Sequence, residues 1–324
     1  MEANIPPLKF EPILKSVVWG GEKIIPFKGL SSDQKNVGES WEISGVKGNE
    51  SIVANGPDKG MSLTGMIEKY GSLLVGEKNY AKFGDMFPLL IKIIDAAGDL
   101  SIQVHPDDNL AKERHNSLGK TEMWYIVDSE EGAKICSGLA ETLTPDTYVE
   151  KVANKTIMES IACHESHPGD VFFLPAGRIH AIGAGNLLVE VQENSDITYR
   201  IYDYDRLDSK TGLPRQLHTE EAKDAIDYKV YPSYITKPNN LPEGAKELVK
   251  CNHFSVFLIE LDGKRTYFRS HKSFSSITCI EGEMRITDDR DNSVTVKQGE
   301  SVLIPAMATK ISLSGKAKFI DAYC

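Results

Sequence analysis

The chain has 324 residues, 40% of them hydrophobic, which is enough for two packed domains and unlike a disordered, collagenous or coiled-coil composition. Its 47 acidic side chains outnumber 37 basic ones, a net charge of −10 that argues against a nucleic-acid-binding face, and no polybasic segment is present to hold a membrane surface. An anionic ligand would have to be attracted locally.

The opening "MEANIPPLKFEPILKSVVWGG" lacks the basic and apolar regions of a secretory signal, and no apolar run reaches the length of a membrane span, so a cytoplasmic protein is expected. From Leu8 to Ser44, short apolar runs broken by Gly and Pro read as strands and turns. "SLTGMIEKYGSLLVGEK" (62–78) sets Leu63, Ile67, Tyr70 and Leu74 on one face behind a Ser cap and predicts an amphipathic helix. A shorter helix is expected after Pro106. Then "FPLLIKIIDA", "LSIQVHP", "TEMWYIVD", "AKICSGL", "GDVFFLPAG", "LLVEVQEN" and "ITYRIYDYDR" are strand-length segments separated by turns, the rhythm of an antiparallel barrel or sandwich. "HTEEAKDAID" predicts another short helix. "YPSYITKPNNLPEGAKE", with three prolines and no periodicity, reads as a connection that puts a domain boundary near Pro238, and the remaining segments are again all strands.

The five cysteines, Cys136, Cys163, Cys251, Cys279 and Cys324, are odd in number, far apart and never in a Cys-x-x-Cys pair. Neither a disulfide framework nor a thiolate zinc site is expected from them, and a reducing compartment fits. A faint repeat links "GDVFFLPAG" (169–177) with "GESVLIPAM" (299–307), as for two related sheets in tandem.

Gln103 and His105, two apart on a strand, point to one face, while Ile102 and Val104 point to the other. Polar groups on the inner face of a barrel must be paired. Glu122 begins the next strand, where an antiparallel return would set it beside His105, and His180 follows the strand that ends at Pro175. Taken alone, a strand histidine is more often a hydrogen-bonded core residue. Two imidazoles, a carboxylate and an amide oxygen together form an N/O set suited to Zn²⁺ with an open position.

Gly169, five residues, Pro175, Ala176, Gly177, two residues and His180 resemble the second motif of the cupin barrel, and Gln103-x-His105 with Glu122 resembles the first, with Gln where most cupins carry His. "FPLLIKIIDA", "LSIQVHPDD", "GKTEMWYI", "GDVFFLPAGRIHAIG" and "QENSDITYRIYDYDR", in that order, resemble the type I phosphomannose isomerases in their short bacterial form. The resemblance implies a mainly β fold of two tandem cupin-like jelly-roll domains with a few short helices. Residues 1–238 would be catalytic and 239–324 a degenerate cupin-like domain without metal. It also implies zinc-dependent interconversion of mannose 6-phosphate and fructose 6-phosphate through a cis-enediolate, with one Zn²⁺ per chain on Gln103, His105, Glu122 and His180. Arg200 falls on the family's active-site arginine and Asp196 on an acid proposed to assist ring opening or proton transfer. Lys120 and Ser101 fall on residues of the phosphate or proton-transfer end of the pocket. The base for the C2 proton stays open among a water on the metal, Asp196 and Lys120.

For Lys120 a solvated loop lysine is the competing reading, and for Arg200 an ion pair with Asp203 or Asp205. The rival functions are a cupin dioxygenase, which Gln103 in place of His argues against, and a sugar-binding cupin without catalysis, which would lack the metal set. His115, His164, His167, His218, His253 and His271 read as structural or solvated. Trp19 and Trp41 suit either the core or the pocket mouth. The expected partner is a small sugar phosphate, without nucleic acid or membrane, and the sequence does not fix an oligomeric state.

Overall fold

A computed structural model describes residues 4–208, 211–269 and 272–324. His271 lies outside them. Three antiparallel sheets make up the fold. One runs, in spatial order, Ile13–Gly21, Val37–Ser44, Leu89–Ala96, Asn186–Glu193, Glu122–Ser129, Val171–Leu174. The second runs Tyr199–Tyr202, Ile102–Val104, His180–Ile182, Lys134–Leu139, Ile161–Glu165. These two sheets face each other as a jelly-roll sandwich, joined by a core that takes Ile94, Trp124, Phe172 and Leu188 from one and Ile135 and Ile182 from the other.

The first, larger sheet is covered on both faces, because period-2 alternation sends Ile91, Ile93, Met123, Val189 and Val191 outward into a core shared with Val256, Leu258 and Ile320 of the third sheet. That third sheet comes mostly from the tail, with long strands Ser255–Phe268, Ser275–Asp288 and Lys310–Tyr323, whose other face closes a separate core around Ile277, Cys279, Leu313 and Phe319. The N-terminal Leu8–Lys9 pairs with Leu303 and Val302, so the first strand joins the tail's sheet. Lys28, buried, pairs with Glu42 at 2.5 Å and donates to the Gly299 carbonyl, a second tie between the two parts. The repeated Gly-to-Pro pattern marks matching corners: Gly169 and Gly299 both have left-handed φ and lead into Val171–Leu174 and Ser301–Ile304.

Two expectations change. The segment after Ser62 is three helical pieces, Leu63–Tyr70, Ser72–Val75 and Glu77–Phe83, broken where Gly71 and Gly76 take positive φ, so its apolar residues reach the core without one continuous axis. A cross-strand pair also replaces the expected free thiols: register sets Cys136 opposite Cys163, Cα atoms 3.9 Å apart, and they are disulfide-bonded. Their separation of 27 residues hides that adjacency from the sequence. A helix at Pro145–Ala153, capped by Thr144, was not among the expected elements. The Asp108–His115 and Thr219–Ala225 helices fall where expected. Among the described residues no helix is long and apolar enough to cross a membrane.

On the inner face of the tail sheet Asp321 stands between Phe257 and Ile277, its Oδ1 out of solvent and without a hydrogen-bond partner. Burial pushes its pKa up to about 6 against the opposing effect of Arg269. A carboxyl whose pKa rises on folding contributes stability that is present below about pH 4 and lost as pH climbs through 6. Asp321→Asn is therefore expected to raise stability at pH 8 by on the order of 2 kcal/mol and to lose that advantage near pH 4, as read by urea melts at the two pH values.

Candidate active site

The sandwich aims its polar minority inward. On the Leu89–Ala96 strand the face that carries Leu90 and Ile94 also carries Lys92; Glu190 and Gln192 share theirs with Leu188, and Glu122 shares its with Trp124 and Ile126. From the opposite sheet Gln103 is in register with both His180 and Arg200. The sequence reading placed Glu122 beside His105 through strand pairing. Their strands belong to different sheets, so the carboxylate meets the imidazole across the sandwich, Oε2 to Nε2 at 3.6 Å.

His105, Glu122 and His180 offer ligand atoms that all lie within 4.8 Å of one another, and all three residues are buried. Each histidine spends Nδ1–H on a carbonyl, His105 on Ile197 and His180 on Arg178, both at 2.8 Å. That fixes Nε2 as the lone-pair nitrogen in both rings. The two Nε2 atoms face each other at 3.2 Å, and Glu122 Oε1, 3.1 Å from His180 Nε2, has no hydrogen-bond partner. Burial holds the His105 imidazole far below its usual pKa, with the Lys120 ammonium adding to that effect. Burial alone would raise Glu122, yet Lys120 and the two imidazoles prevail and keep it ionised well below the carboxylate range. Converging lone pairs and an ionised, unpartnered carboxylate oxygen are what a bound cation satisfies. The Gln103 amide reaches His180 Nε2 at 3.4 Å, and a half-turn of that amide presents its oxygen to the same point.

Lys120 is no solvated lysine. It is buried, contacts Glu122 and lies 3.0 Å from His105 Nε2. Together with Gln103 it links the trio to a cavity of about 400 Å³ whose walls include Trp19, Trp41, Ser101, Asp196 and Arg200. Ser101 is buried, Asp196 is exposed at the mouth, and both tryptophans are largely buried walls. The predicted site residues therefore gather at one place.

Arg200 does not pair with either carboxylate proposed for it. Asp203 is held by Arg206 and by both arms of Arg215, and Asp205 by Lys155. The Arg200 guanidinium instead donates to the Gln216 carbonyl at 2.9 Å, and its Nε is buried without a partner. Burial first, and Arg215 next, pull its pKa down, so it is a cation held in want of an anion. His218, read as structural, stands at the N-cap of Thr219–Ala225 without a side-chain cap and accepts the Arg200 backbone N–H at 3.1 Å. His164 is partly packed between Phe172 and Tyr234 where solvation was expected.

Sequence reasoning missed Lys92, Glu190 and Arg215 in the same cavity. Lys92 and Glu190 pair at 2.9 Å, both buried, and Glu190 also accepts Trp124 Nε1–H at 2.7 Å while the Trp124 ring packs edge-on against His180. A charged residue inside a strand buried on both faces, as in "LLIKIIDA" and "LLVEVQE", was the available signal. Breaking one side of a buried pair strands the other charge. Lys92→Met is expected to cost about 3 kcal/mol in urea unfolding, and adding Glu190→Gln should recover part of the loss; additive losses would show that the pair is not coupled.

Comparison with known proteins follows this geometry. Residues 8–137 match the model of the phosphomannose isomerase type I catalytic domain, and residues 244–324 that of the mannose-6-phosphate isomerase cupin domain. The chain is 36% identical to the mannose-6-phosphate isomerase ManA of Bacillus subtilis, across 98% of both chains, and 30% identical to the mannose-6-phosphate isomerase of Streptococcus mutans, again across 98% of both. The crystal structure of mannose 6-phosphate isomerase from Bacillus subtilis superposes with a TM-score of 0.89 at 33% identity, covering 99% of this chain and 100% of that one. A phosphomannose isomerase structure from Salmonella typhimurium shares the fold, with a TM-score of 0.80 at 18% identity over 98% of this chain and 99% of that one.

Proposed function

Because the chain belongs to the type I phosphomannose isomerases, we propose that it interconverts mannose 6-phosphate and fructose 6-phosphate, with a single divalent cation held by Gln103, His105, Glu122 and His180. The observation that carries this reading is the convergence of two Nε2 lone pairs and the Glu122 oxygen that has no partner among the described residues, behind the Gln103 and Lys120 side chains that line the cavity. Three neutral donors and one carboxylate, without thiolate, suit Zn²⁺ in an open site. Zn²⁺ bound there would supply a Lewis acid for the sugar's C1 and C2 oxygens and requires no redox change.

An aldose–ketose isomerisation moves a proton between C1 and C2, and a cis-enediolate is the natural intermediate. Arg200, a cation with no carboxylate of its own, is the group available to balance the negative charge that develops. Ser101, a buried hydroxyl, and Arg215 line the same wall and would orient the phosphate. Lys120 is the titratable group nearest the ligands and is buried, whereas Asp196 stands exposed at the mouth. We therefore assign the carbon-to-carbon proton to Lys120, acting in its uncharged amine form, and ring opening to Asp196. Trp19 and Trp41 narrow the cavity and limit water around the intermediate. Catalysis belongs to residues 1–238, with residues 239–324 as a support that carries no metal, in a cytoplasmic enzyme.

The test is a coupled assay on mannose 6-phosphate before and after chelation, with zinc restored: activity must vanish and return. Turnover that survives complete removal of metal would overturn the cation's part. Glu122→Gln is expected to lower zinc affinity by 10-fold or more, because the set then has no anionic ligand, and a chelator competition measures it. Arg200→Ala should reduce kcat on the order of a hundredfold with little change in KM and unchanged zinc content. A rise in KM at intact kcat would move Arg200 to the phosphate instead.

A further inference from the structure

Besides the shared apolar core, a polar side chain of the tail is tied to the start of the metal-binding strand. Glu193, at the end of the Asn186–Glu193 strand and 5% exposed, accepts the Thr121 backbone N–H on Oε2 at 2.8 Å, while its own N–H bonds the Thr121 carbonyl at 3.1 Å. The peptide between Lys120 and Glu122 is thus clamped from both sides by one residue. The other oxygen of Glu193 is taken by His253 Nδ1 at 2.7 Å, from the turn closed by the Cys251 N–H to Phe254 carbonyl bond in the tail. Asp108, whose Oδ1 accepts the Gly119 N–H at 2.9 Å, brings Oδ2 to 4.0 Å from the same ring nitrogen. Gly119 cannot be replaced cheaply there, since a Cβ would stand 2.6 Å from the Asp108 nitrogen. The loop that delivers Lys120 and Glu122 therefore rests on two carboxylates, and the histidine from the tail faces both.

We propose that His253 is a positioning residue for the catalytic site: by fixing Glu193 it holds the Thr121 peptide and so sets where Lys120 and Glu122 project. The tail then contributes to metal retention and turnover without touching substrate or cation. This rests on Glu122 being a metal ligand. Free rotation of the Glu193 carboxylate would release one of the two bonds on Thr121, and a loosened support of a ligand costs on the order of tenfold in metal affinity.

The charged and titratable groups around His253 are Glu193, Asp108, Lys82 of the Glu77–Phe83 helix and the Cys251 thiol, whose neighbour Cys324 also senses Glu193 and Lys82. Glu193 raises the His253 pKa through its hydrogen bond against the effects of burial and of Lys82. The charge-assisted part of the latch is therefore complete below about pH 6.5, the ordinary histidine value, and is lost as pH rises through the raised one, leaving a neutral N–H donor.

The experiment compares His253→Ala and His253→Asn in the full chain. Asn keeps a donor nitrogen at the place of Nδ1 without a charge. Zinc release into excess chelator is followed from pH 6 to 9, together with steady-state kinetics and amide hydrogen exchange over 120–123. His253→Ala should release zinc about tenfold faster, lower kcat at nearly constant KM, and speed exchange at Thr121. His253→Asn should match the wild type above the His253 titration and diverge from it below. Wild-type release, kcat and Thr121 exchange in His253→Ala, with only a lower Tm, would reduce the contact to ordinary interdomain packing and overturn the proposal. If His253→Ala does not fold, faster release and exchange in His253→Asn at pH 6 alone support the latch, and their absence overturns it. Should the protein hold no metal at all, the ligand assignment fails, and Thr121 exchange still decides whether His253 secures that peptide.

Discussion

The molecule depends on the confinement of ionisable groups between two apolar sheets. A sandwich core tolerates such groups only when their hydrogen bonds and charges are met inside it. Glu122, Glu190 and Lys92 all stand on the inward face of strands whose other face is also buried, so none can turn to water. Glu190 satisfies Lys92 and Trp124 at once, and Trp124 in turn packs on His180. Fixing one charge thus orients the next, and the chain of contacts ends at the His180 imidazole, whose Nε2 lone pair faces that of His105.

Charge is arranged against the average of the chain. The protein as a whole is anionic, yet the wall of the cavity near Arg200 carries a positive surplus, because Arg206 and Arg215 share the single carboxylate of Asp203 and Arg200 has none. At a Debye length of about 8 Å, distant surface carboxylates contribute little in that cleft. A sugar phosphate bound as proposed would meet local guanidinium groups rather than the net charge, and an overall acidic composition is compatible with an anionic substrate. Coulomb attraction inside a half-buried cavity is also less screened than at the surface, so few cations suffice.

Much of this was legible in the sequence. The i, i+2 spacing of Gln103 and His105, the strand start at Glu122 and the Pro175-to-His180 corner are local patterns, and each survives because strand periodicity decides which face a side chain takes. That the chain is mainly β followed from the same periodicity, whereas the jelly-roll assignment rested on the resemblance to a known family. What the sequence did not show are relations that depend on which strands become neighbours. Glu122 meets His105 across the sandwich and not along a hairpin, Cys136 finds Cys163 through register, and Arg215 joins the Arg200 wall from a loop with no motif of its own. Lys92 and Glu190 lay in plain view as charges inside doubly buried strands, but their significance needs the partner, which lies 98 residues away in the chain on an adjacent strand. Gly71 and Gly76 illustrate the converse: periodicity predicted a helix correctly in outline, and backbone conformations open chiefly to glycine divided it.

The third sheet adds a constraint that a two-sheet sandwich cannot supply. Strands buried on one side only can flex toward solvent; here the sheet that carries Glu122, Lys92 and Glu190 is pressed between two cores, so a shift of its backbone would disturb packing on both faces. The pairing of Leu8–Lys9 with the Ser301–Ile304 strand, and the bond from buried Lys28 to the Gly299 carbonyl, bind the first and last parts of the chain into that arrangement. Ligand atoms must be held to within about 0.5 Å to present one geometry to a cation. A site whose carboxylate sits at the very start of a strand, where the ladder gives least support, needs that support from elsewhere, and the two hydrogen bonds between Glu193 and Thr121 provide it one residue before the ligand. In this reading the tail bears on the site because the first residue of one strand has to stay in place.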